Sequence, residues 1–412
     1  MFKSDFLNEI GSRGFIYQSS EIEELDELMS KKKIVGYIGF DPTSDSLHIG
    51  SLLQLMLLYW MQYYGHKPIA LMGGGTTLVG DPSGKDESRK ILTKKEIEKN
   101  INKIKLTFKH FIDFSKNAKI INNYNWLANL NYINFLREIG QKITINKMLT
   151  FDSVKSRLDR EQPLSFLEFN YMLLQAYDFL YLNNEFNCQL QLGGSDQWGN
   201  IICGIDLIKK TTNNKAYAIT SPLIINNDGS KMGKTIEGAI WLDKNKYDDF
   251  DFYQYWRNVD DKNVNKFLKL FTTLSLSEID KLSKLRNKEI NEAKKILSYE
   301  VTKLCRGKKS ADNAQDISLN IFDNKIIDER IRSKKVELKN LSTNQYNLID
   351  ALENLNLVKS RSDAKRIIKS NGVKINDIIF NDDHFSLNKY AIKNSKIKVT
   401  IGKKKVGIIK VI

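Results

Sequence analysis

The stretch IVGYIGFDPTSDSLHIGSLLQLMLLYWMQYYGHKPIALMGGG (Ile34–Gly75) carries a strand–loop–helix–strand unit. Ile34–Phe40 is an apolar run of strand length, and Asp41–Gly50 is a polar turn. Ser51–Tyr64 is apolar over a helical length. Pro68–Met72 returns as a second strand and runs into the glycine-rich GGGTTLVGDPSGK (Gly73–Lys85). This order predicts a doubly wound α/β domain with a parallel sheet, which binds ligands outside the carboxyl ends of its strands.

Working outward, the periodicity predicts a basic helix over Lys94–Phe114 and another over Trp126–Ile139. A long apolar helix follows over Ser165–Leu182, then a short strand over Gln189–Leu192 and a helix over Ile201–Lys210. After Gly238 the character changes. Lys246–Arg257 is acidic and aromatic, and residues 260–339 read as Lys/Leu/Glu helices without a glycine-rich loop. Asn340–Gln345 is mostly polar and reads as a linker. Tyr346–Asn371 has two helical periodicities joined at Ser360, followed by Gly372 and the alternating runs VKIND and KIKVTIG.

Composition narrows the class. Of 412 residues, 41% are hydrophobic and 27% charged, which excludes a disordered chain. No apolar run approaches the roughly 18 residues of a membrane helix. Asp5 and Glu9 stand where a signal peptide would be apolar, so a cytoplasmic protein is expected. Cys188, Cys203 and Cys305 share no ligand-like spacing and support neither a disulfide framework nor a zinc site.

The formal charge is +15, and it is uneven: Lys359–Ile412 holds fourteen Lys and Arg against four Asp. Basic residues interleaved with a folded pattern fit a polyanionic partner better than a solvated tail. Arg361, Lys365, Arg366 and Lys369 are the candidate RNA contacts.

Two familiar phosphate loops fail at Gly73–Asp86. A P-loop ending at Gly84-Lys85 needs glycine where Val79 stands and Ser or Thr where Asp86 stands. A dinucleotide fingerprint starting at Gly73 needs glycine where Leu78 stands. Two other segments carry phosphate chemistry. In Gly39–Ser51, Thr43 and His48 are donors in a turn that opens a helix, where phosphate oxygens are favoured. In Asp228–Thr235, Lys231 and Lys234 are cations on a glycine-containing loop. In Ser165–Leu182, Tyr171, Gln175 and Asp178 share one face of an otherwise apolar helix. A buried polar stripe needs partners, which the fold or a polar ligand must supply. Tyr37 on the first strand is placed to reach the same pocket.

An HIG turn followed about 180 residues later by a KMGKT loop resembles the class I aminoacyl-tRNA synthetases. With NNYNW, YMLLQAYDFL, QLGGSDQWGNI, DGSKMGKT, IWLD and EVTKLCRG, the chain resembles bacterial-type tyrosyl-tRNA synthetases over essentially its whole length. Ser362, Ala364, Lys365, Ile368 and the NGVKIN turn resemble a small RNA-binding module found in ribosomal and RNA-modifying proteins.

The resemblance implies a Rossmann-like catalytic domain over 1–225, a KMSKS-type loop and connector over 226–245 and an α-helical anticodon-side domain over 246–339. A linker over 340–345 and a basic α+β module over 346–412 complete it. It implies that Tyr37 and Asp178 bind the hydroxyl of substrate L-tyrosine. Asp81, Tyr171 and Gln175 would bind its ammonium, and Gln197 its carboxylate end. Gly39, Asp41, Gly50, Ser51, Gly193, Asp196 and Met232 join the ATP site. Thr43, His48, Lys231, Lys234 and Thr235 would stabilise the leaving pyrophosphate. ATP is then a substrate with Mg2+ on its phosphates and no protein-bound metal site, tRNA(Tyr) is the acceptor, and the enzyme is a homodimer away from membranes. Two departures stand out: Ser51 replaces the second histidine of the usual HIGH, and KMGKT replaces KMSKS. The alternatives are another nucleotidyltransferase of the superfamily and a catalytically silent RNA-binding paralogue.

Overall fold

The computed structural model describes residues 1–81, 92–225, 232–235, 238–324, 326, 328–343, 346–388, 392–402 and 405–412, without the side chains of 152, 153, 234, 235 and 238. The chain divides into two compact units. The first comprises Met1–Asp243 with Lys269–Phe271, and the second Lys244–Leu268 with Thr272–Ile412.

In the first unit six strands form one sheet: β1 (Gln18–Ser19), β2 (Val35–Phe40), β3 (Lys67–Met72), β4 (Lys119–Asn122), β5 (Cys188–Gly194) and β6 (Tyr217–Ser221). Their order is β1-β6-β5-β2-β3-β4. β2 pairs in parallel with both β3 and β5, and only the edge strand β1 runs antiparallel. The expected doubly wound parallel sheet is thus the fold observed. β2 is central because its apolar residues can be covered on both faces, as a parallel sheet requires.

The helix Leu52–Tyr63 buries Leu52, Leu53, Leu55, Met56, Leu57, Leu58, Trp60 and Met61, which explains its lack of a polar stripe. Phe166–Phe186 starts at a capping box, in which Ser165 and Glu168 satisfy each other's backbone N–H groups, and ends at Asn187 in the left-handed conformation. It runs past the expected Leu182.

Two sequence expectations in this unit fail for local reasons. The basic helix stops at Phe108, because Phe111 and Ile112 turn inward and are 4% and 3% exposed. The second helix is two, Tyr124–Leu127 and Tyr132–Glu138. Asn131 interrupts them, its side chain accepting from the Asn134 N–H as a cap.

The second unit contains the helices Asp249–Arg257, Ile290–Arg306 and Lys308–Ser318 and a sheet at its carboxyl end. A short ribbon in the first unit, β7 (Lys234–Thr235) and β8 (Gly238–Ala239), precedes it in sequence. The sheet comprises β9 (Ser333–Val336), β10 (Val373–Ile375), β11 (Ile378–Phe380), β12 (Lys396–Ile401) and β13 (Lys405–Val411), in the order β11-β10-β12-β13-β9. The expected helices are Leu348–Asn354 and Arg361–Lys369, and Ser360 caps the second.

Here too the structure corrects the reading. Ser333–Val336, expected to be helical, pairs in parallel with β13 and so belongs to the terminal sheet. The segment read as a polar linker, Asn340–Gln345, begins inside the helix Leu338–Ser342, and Leu341 is fully buried in the module's core. Residues 344 and 345 lie outside the described residues.

Candidate active site

Alternation along β2 places Tyr37 and Gly39 on one face, with Asp41 just past the strand end. These residues border a cavity of about 430 Å³ at the carboxyl ends of β2 and β5. The helix Phe166–Phe186 contributes Tyr171, Gln175 and Asp178 to its lining, and the loop after β5 contributes Asp196 and Gln197.

Its deep part is the least wet. Tyr37 and Asp178 are 1% and 2% exposed. Asp178 accepts from Asn123 Nδ2 and from Trp126 Nε1, both at 2.8 Å. Burial raises its pKa to about 7, against the pull of those two donors. The buried Tyr37 hydroxyl has no hydrogen-bond partner among the described residues. Burial raises its pKa, and the Asp178 charge adds to the effect. A buried phenol without a partner beside a braced carboxylate is a place for a polar group of a ligand or for water.

Above this lies a polar belt. Asp41 accepts from Thr76 Oγ1 at 2.9 Å and from Tyr171 Oη at 3.0 Å. Gly73 is required beside it, since a Cβ there would stand 2.0 Å from Asp41 Oδ1. Gln197 Nε2 donates to Asp81 at 3.0 Å. Asn200 Nδ2 donates to Gln175 Oε1 and Gln197 Oε1 at 3.1 and 3.2 Å. Two carboxylates held this way suit a cationic group.

The third region is the HIG turn. His48 caps Ile49–Ser51, its Nδ1 accepting from the Gly50 N–H at 2.9 Å. In the neutral ring the proton is therefore on Nε2. The His48 ring meets Trp241 edge-on at 6.2 Å, and the Ile49 N–H donates to the Ile240 carbonyl at 3.0 Å. Gly233 packs on the same turn with a φ of +96°. A Cβ there would lie 2.9 Å from the Gly50 nitrogen and 3.0 Å from His48 Nδ1, so this position of the loop takes glycine.

The family model for tRNA synthetases class I (W and Y) matches residues 29–323. The chain belongs to the class I tRNA synthetases. It is 50% identical over 408 residues to a tyrosine–tRNA ligase of Wolbachia pipientis subsp. Culex pipiens, covering 98% of this chain and 97% of that one. It is 48% identical to that of Pelagibacter ubique, covering 97% of this chain and 98% of the relative. Among solved structures, a C-terminally truncated mitochondrial tyrosyl-tRNA synthetase of Aspergillus nidulans matches with a TM-score of 0.70 at 30% identity. That match covers 77% of this chain and 94% of the other.

In this class I synthetase, the cavity brings together Tyr37, Gly39, Asp41, Thr43, His48, Gly50 and Ser51 from the first strand–helix passage. Asp81, Tyr171, Gln175, Asp178, Gly193, Asp196, Gln197 and Met232 complete it. Lys231 lies outside the described residues. Lys234 and Thr235 are described by backbone alone, in the β7–β8 ribbon. Among the described residues no group of three or more His, Cys, Asp or Glu is arranged to hold a metal ion.

Sequence reasoning missed Asn123, Trp126, Thr76 and Asn200 as functional positions. Asn123 is the hub: it accepts from the Gly75 N–H at 2.7 Å and donates to Thr76 at 3.1 Å and to Asp178. The available signal was NNYNW directly after β4, quoted above as a motif without a role.

The four candidate RNA contacts belong to the second unit. Arg361, Lys365, Arg366 and Lys369 are exposed on the helix Arg361–Lys369, whose buried residues are Ala364 and Ile368. Arg361 pairs with Asp350 and Glu353 at 2.8 and 2.9 Å, Arg366 with Asp363 at 2.6 Å, and Lys369 stands 3.9 Å from Asp383. Lys365 has no ion pair among the described residues. Exposed pairs of this kind are weak, and they compete with phosphates for the arginines.

Proposed function

We propose that this synthetase is a tyrosine–tRNA ligase, and that the observation carrying this reading is the buried Tyr37 hydroxyl without a partner beside the braced Asp178 carboxylate. A substrate phenol placed there donates to Asp178 and accepts from Tyr37. Phenylalanine leaves both groups unmatched and tryptophan offers no acceptor to Tyr37, and unmatched buried polar groups are where discrimination is strongest. Asp81, Tyr171 and Gln175 bind the substrate ammonium, and Gln197 orients its carboxylate.

The chemistry needs no protein nucleophile. A tyrosine carboxylate oxygen attacks the α-phosphorus of ATP. The bond to the β,γ-phosphates breaks, its electron pair leaves with pyrophosphate, and tyrosyl-adenylate remains. A ribose hydroxyl at the 3′ end of tRNA then attacks the carbonyl of this mixed anhydride and loses its proton, the bond from that carbon to the phosphate oxygen breaks, and AMP departs, leaving the tyrosyl ester. Gly39, Asp41, Gly50, Ser51, Gly193, Asp196 and Met232 position the nucleotide. Thr43, His48, Lys231, Lys234 and Thr235 meet the charge developing on pyrophosphate, where preorganised donors act most strongly. Magnesium bound to the triphosphate would add charge neutralisation. Ser51 is shorter than the histidine it replaces and reaches the nucleotide through water.

Residues 1–225 and the loop 226–245 serve activation, 246–339 the anticodon side, and 346–412 grips tRNA(Tyr) through Arg361, Lys365, Arg366 and Lys369. The segment 132–167 supports the homodimer: Tyr132, Ile133, Ile145, Leu158, Phe166 and Leu167 are 46–70% exposed, a density of large apolar residues typical of a surface another chain covers. No helix among the described residues is long and apolar enough to cross a membrane. A cytoplasmic location fits the proposed tRNA-charging reaction.

The test is ATP–pyrophosphate exchange with tyrosine, phenylalanine and tryptophan in turn. Exchange with tyrosine alone is expected. Exchange with tryptophan alone would move the chain to the other branch of its family, and no exchange with any would leave the silent paralogue.

A further inference from the structure

The basic helix Lys94–Phe108 is not accounted for by the reaction just described. Its inner face buries Ile97, Ile101, Ile104 and Phe108. It is fastened to the turn that carries Thr43: Asn100 Nδ2 donates to the Pro42 carbonyl at 2.9 Å, and Lys103 Nζ to Asp45 Oδ2 at 2.6 Å. Ile104 lines the active-site cavity itself. The helix is therefore part of the cavity wall, with its opposite face exposed.

That outer face has a pattern. Lys95, Lys99, Asn102, Leu106 and Lys109 recur at alternating spacings of four and three, which aligns them in one stripe along the helix. All five are exposed. Two of the lysines beside the stripe have local partners: Lys103 is tied to Asp45, and Lys94 lies 4.4 Å above the Tyr124 ring and 4.0 Å from Glu98. Lys95, Lys99 and Lys109 have no ion pair among the described residues. Lysines without carboxylate partners keep a surface cationic, and they span about 20 Å at ~1.5 Å per residue.

We propose that this stripe is a second tRNA contact, which takes the phosphates of the acceptor arm and guides its 3′ end to the adjoining cavity. The proposal rests on the tRNA-charging reading above. The chemistry is that of a positioning contact: lysine ammonium groups with no arginine fork and no exposed aromatic ring in the stripe grip phosphates without reading bases. Its place on the cavity wall favours the acceptor end of the substrate RNA over an unrelated acidic protein. It belongs to the first unit, whereas Arg361–Lys369 belongs to the second, and it includes none of the residues proposed to meet tyrosine or ATP.

The test uses the full chain with Lys95, Lys99 and Lys109 all changed to Gln, and in parallel all changed to Arg. Fluorescence anisotropy with labelled tRNA(Tyr), over a range of KCl concentrations, reads binding without requiring catalysis. Tyrosine-dependent pyrophosphate exchange, which involves no tRNA, reports folding and the activation reading separately. The Gln variant is expected to bind tRNA about 10-fold more weakly near 0.1 M salt, with the slope of log K against log salt shallower by about 2. The Arg variant should keep both, and exchange should stay unchanged. Parental tRNA affinity and salt slope in the Gln variant would overturn the proposal, as would weakening that an acidic peptide, and not tRNA, reproduces as a competitor. Failure of exchange in the parent chain would instead count against the functional reading, while the anisotropy comparison still decides the stripe.

Discussion

Trp126 donates its indole N–H to Oδ1 of Asp178 across 2.8 Å, at a carboxylate that is 2% exposed. Asn123 occupies the other oxygen at the same distance. The carboxylate is held by neutral donors with no cation among them, so burial controls its titration, and the direction of that effect can be measured.

Burial raises the Asp178 pKa from 3.8 to about 7. The folded chain therefore holds this proton more tightly than the unfolded chain. The group's contribution to stability is largest below pH ~4, falls as pH rises to ~7, and is constant above. In urea titrations Asp178→Asn should lose less stability than the parent between those limits. In exchange assays the parent's kcat/KM for tyrosine should rise with pH through an inflection near 7, as the carboxylate becomes able to accept from the substrate phenol. The variant should lack the inflection and lie about 100-fold lower, the loss of one hydrogen bond to a charged group.

Tyr37→Phe separates stability from function. The Tyr37 hydroxyl is buried without a partner, so deleting it removes a desolvated group and should raise unfolding free energy by about 1 kcal/mol. The same change should lower kcat/KM for tyrosine about 10-fold and leave that for phenylalanine nearly unchanged, because only the hydroxylated substrate loses a bond. Parallel denaturation and exchange measurements would show the opposite signs.

Asn123→Ala should damage both. It strips the Gly75 N–H of its acceptor and Asp178 of one donor, at a cost of about 1–3 kcal/mol in unfolding free energy. The Asn123 bond lowers the Asp178 pKa, so its loss should move the exchange inflection upward. An inflection that stays where it is would show that Asn123 does not brace the carboxylate.

Gly233→Ser would restore the serine of the usual KMSKS loop, yet it should weaken the enzyme. The position has a φ of +96°, and a Cβ would press on the Gly50 nitrogen at 2.9 Å. Backbone strain of about 1–2 kcal/mol, if borne where pyrophosphate leaves, corresponds to a roughly 10-fold lower kcat in exchange. An unchanged or faster kcat would mean that the loop gives way at no cost.

Lys365→Ala should raise the KM for tRNA a few-fold in aminoacylation and leave tyrosine-dependent exchange untouched. Arg361→Ala should do less per charge removed, since Arg361 is already paired with Asp350 and Glu353. Equal effects would show that the phosphate backbone displaces those pairs freely.

Features carried by short-range periodicity were legible in the chain. The strands Val35–Phe40 and Lys67–Met72, the helix Phe166–Phe186 and its Tyr171–Gln175–Asp178 stripe follow from spacing within a few turns, because one face must be covered. Cooperation across distance was not. Asn123 and Trp126 reach Asp178 over sequence separations of 55 and 52 residues, and nothing near NNYNW says which carboxylate they face. Leu341 made a polar-looking segment helical because the module's core had room for it, and Ser333–Val336 became a strand because β13 offered an unpaired edge.

The amino-acid sequence by itself determined the parallel sheet, the HIG turn and the residues available for catalysis, since local propensity and pattern suffice for those. Only the tertiary structure decided which of them are satisfied and which wait for a ligand. Hydrogen-bond satisfaction depends on every group that packing brings within 3 Å or so. That is why Asp178 is braced and Tyr37 beside it is left unmatched.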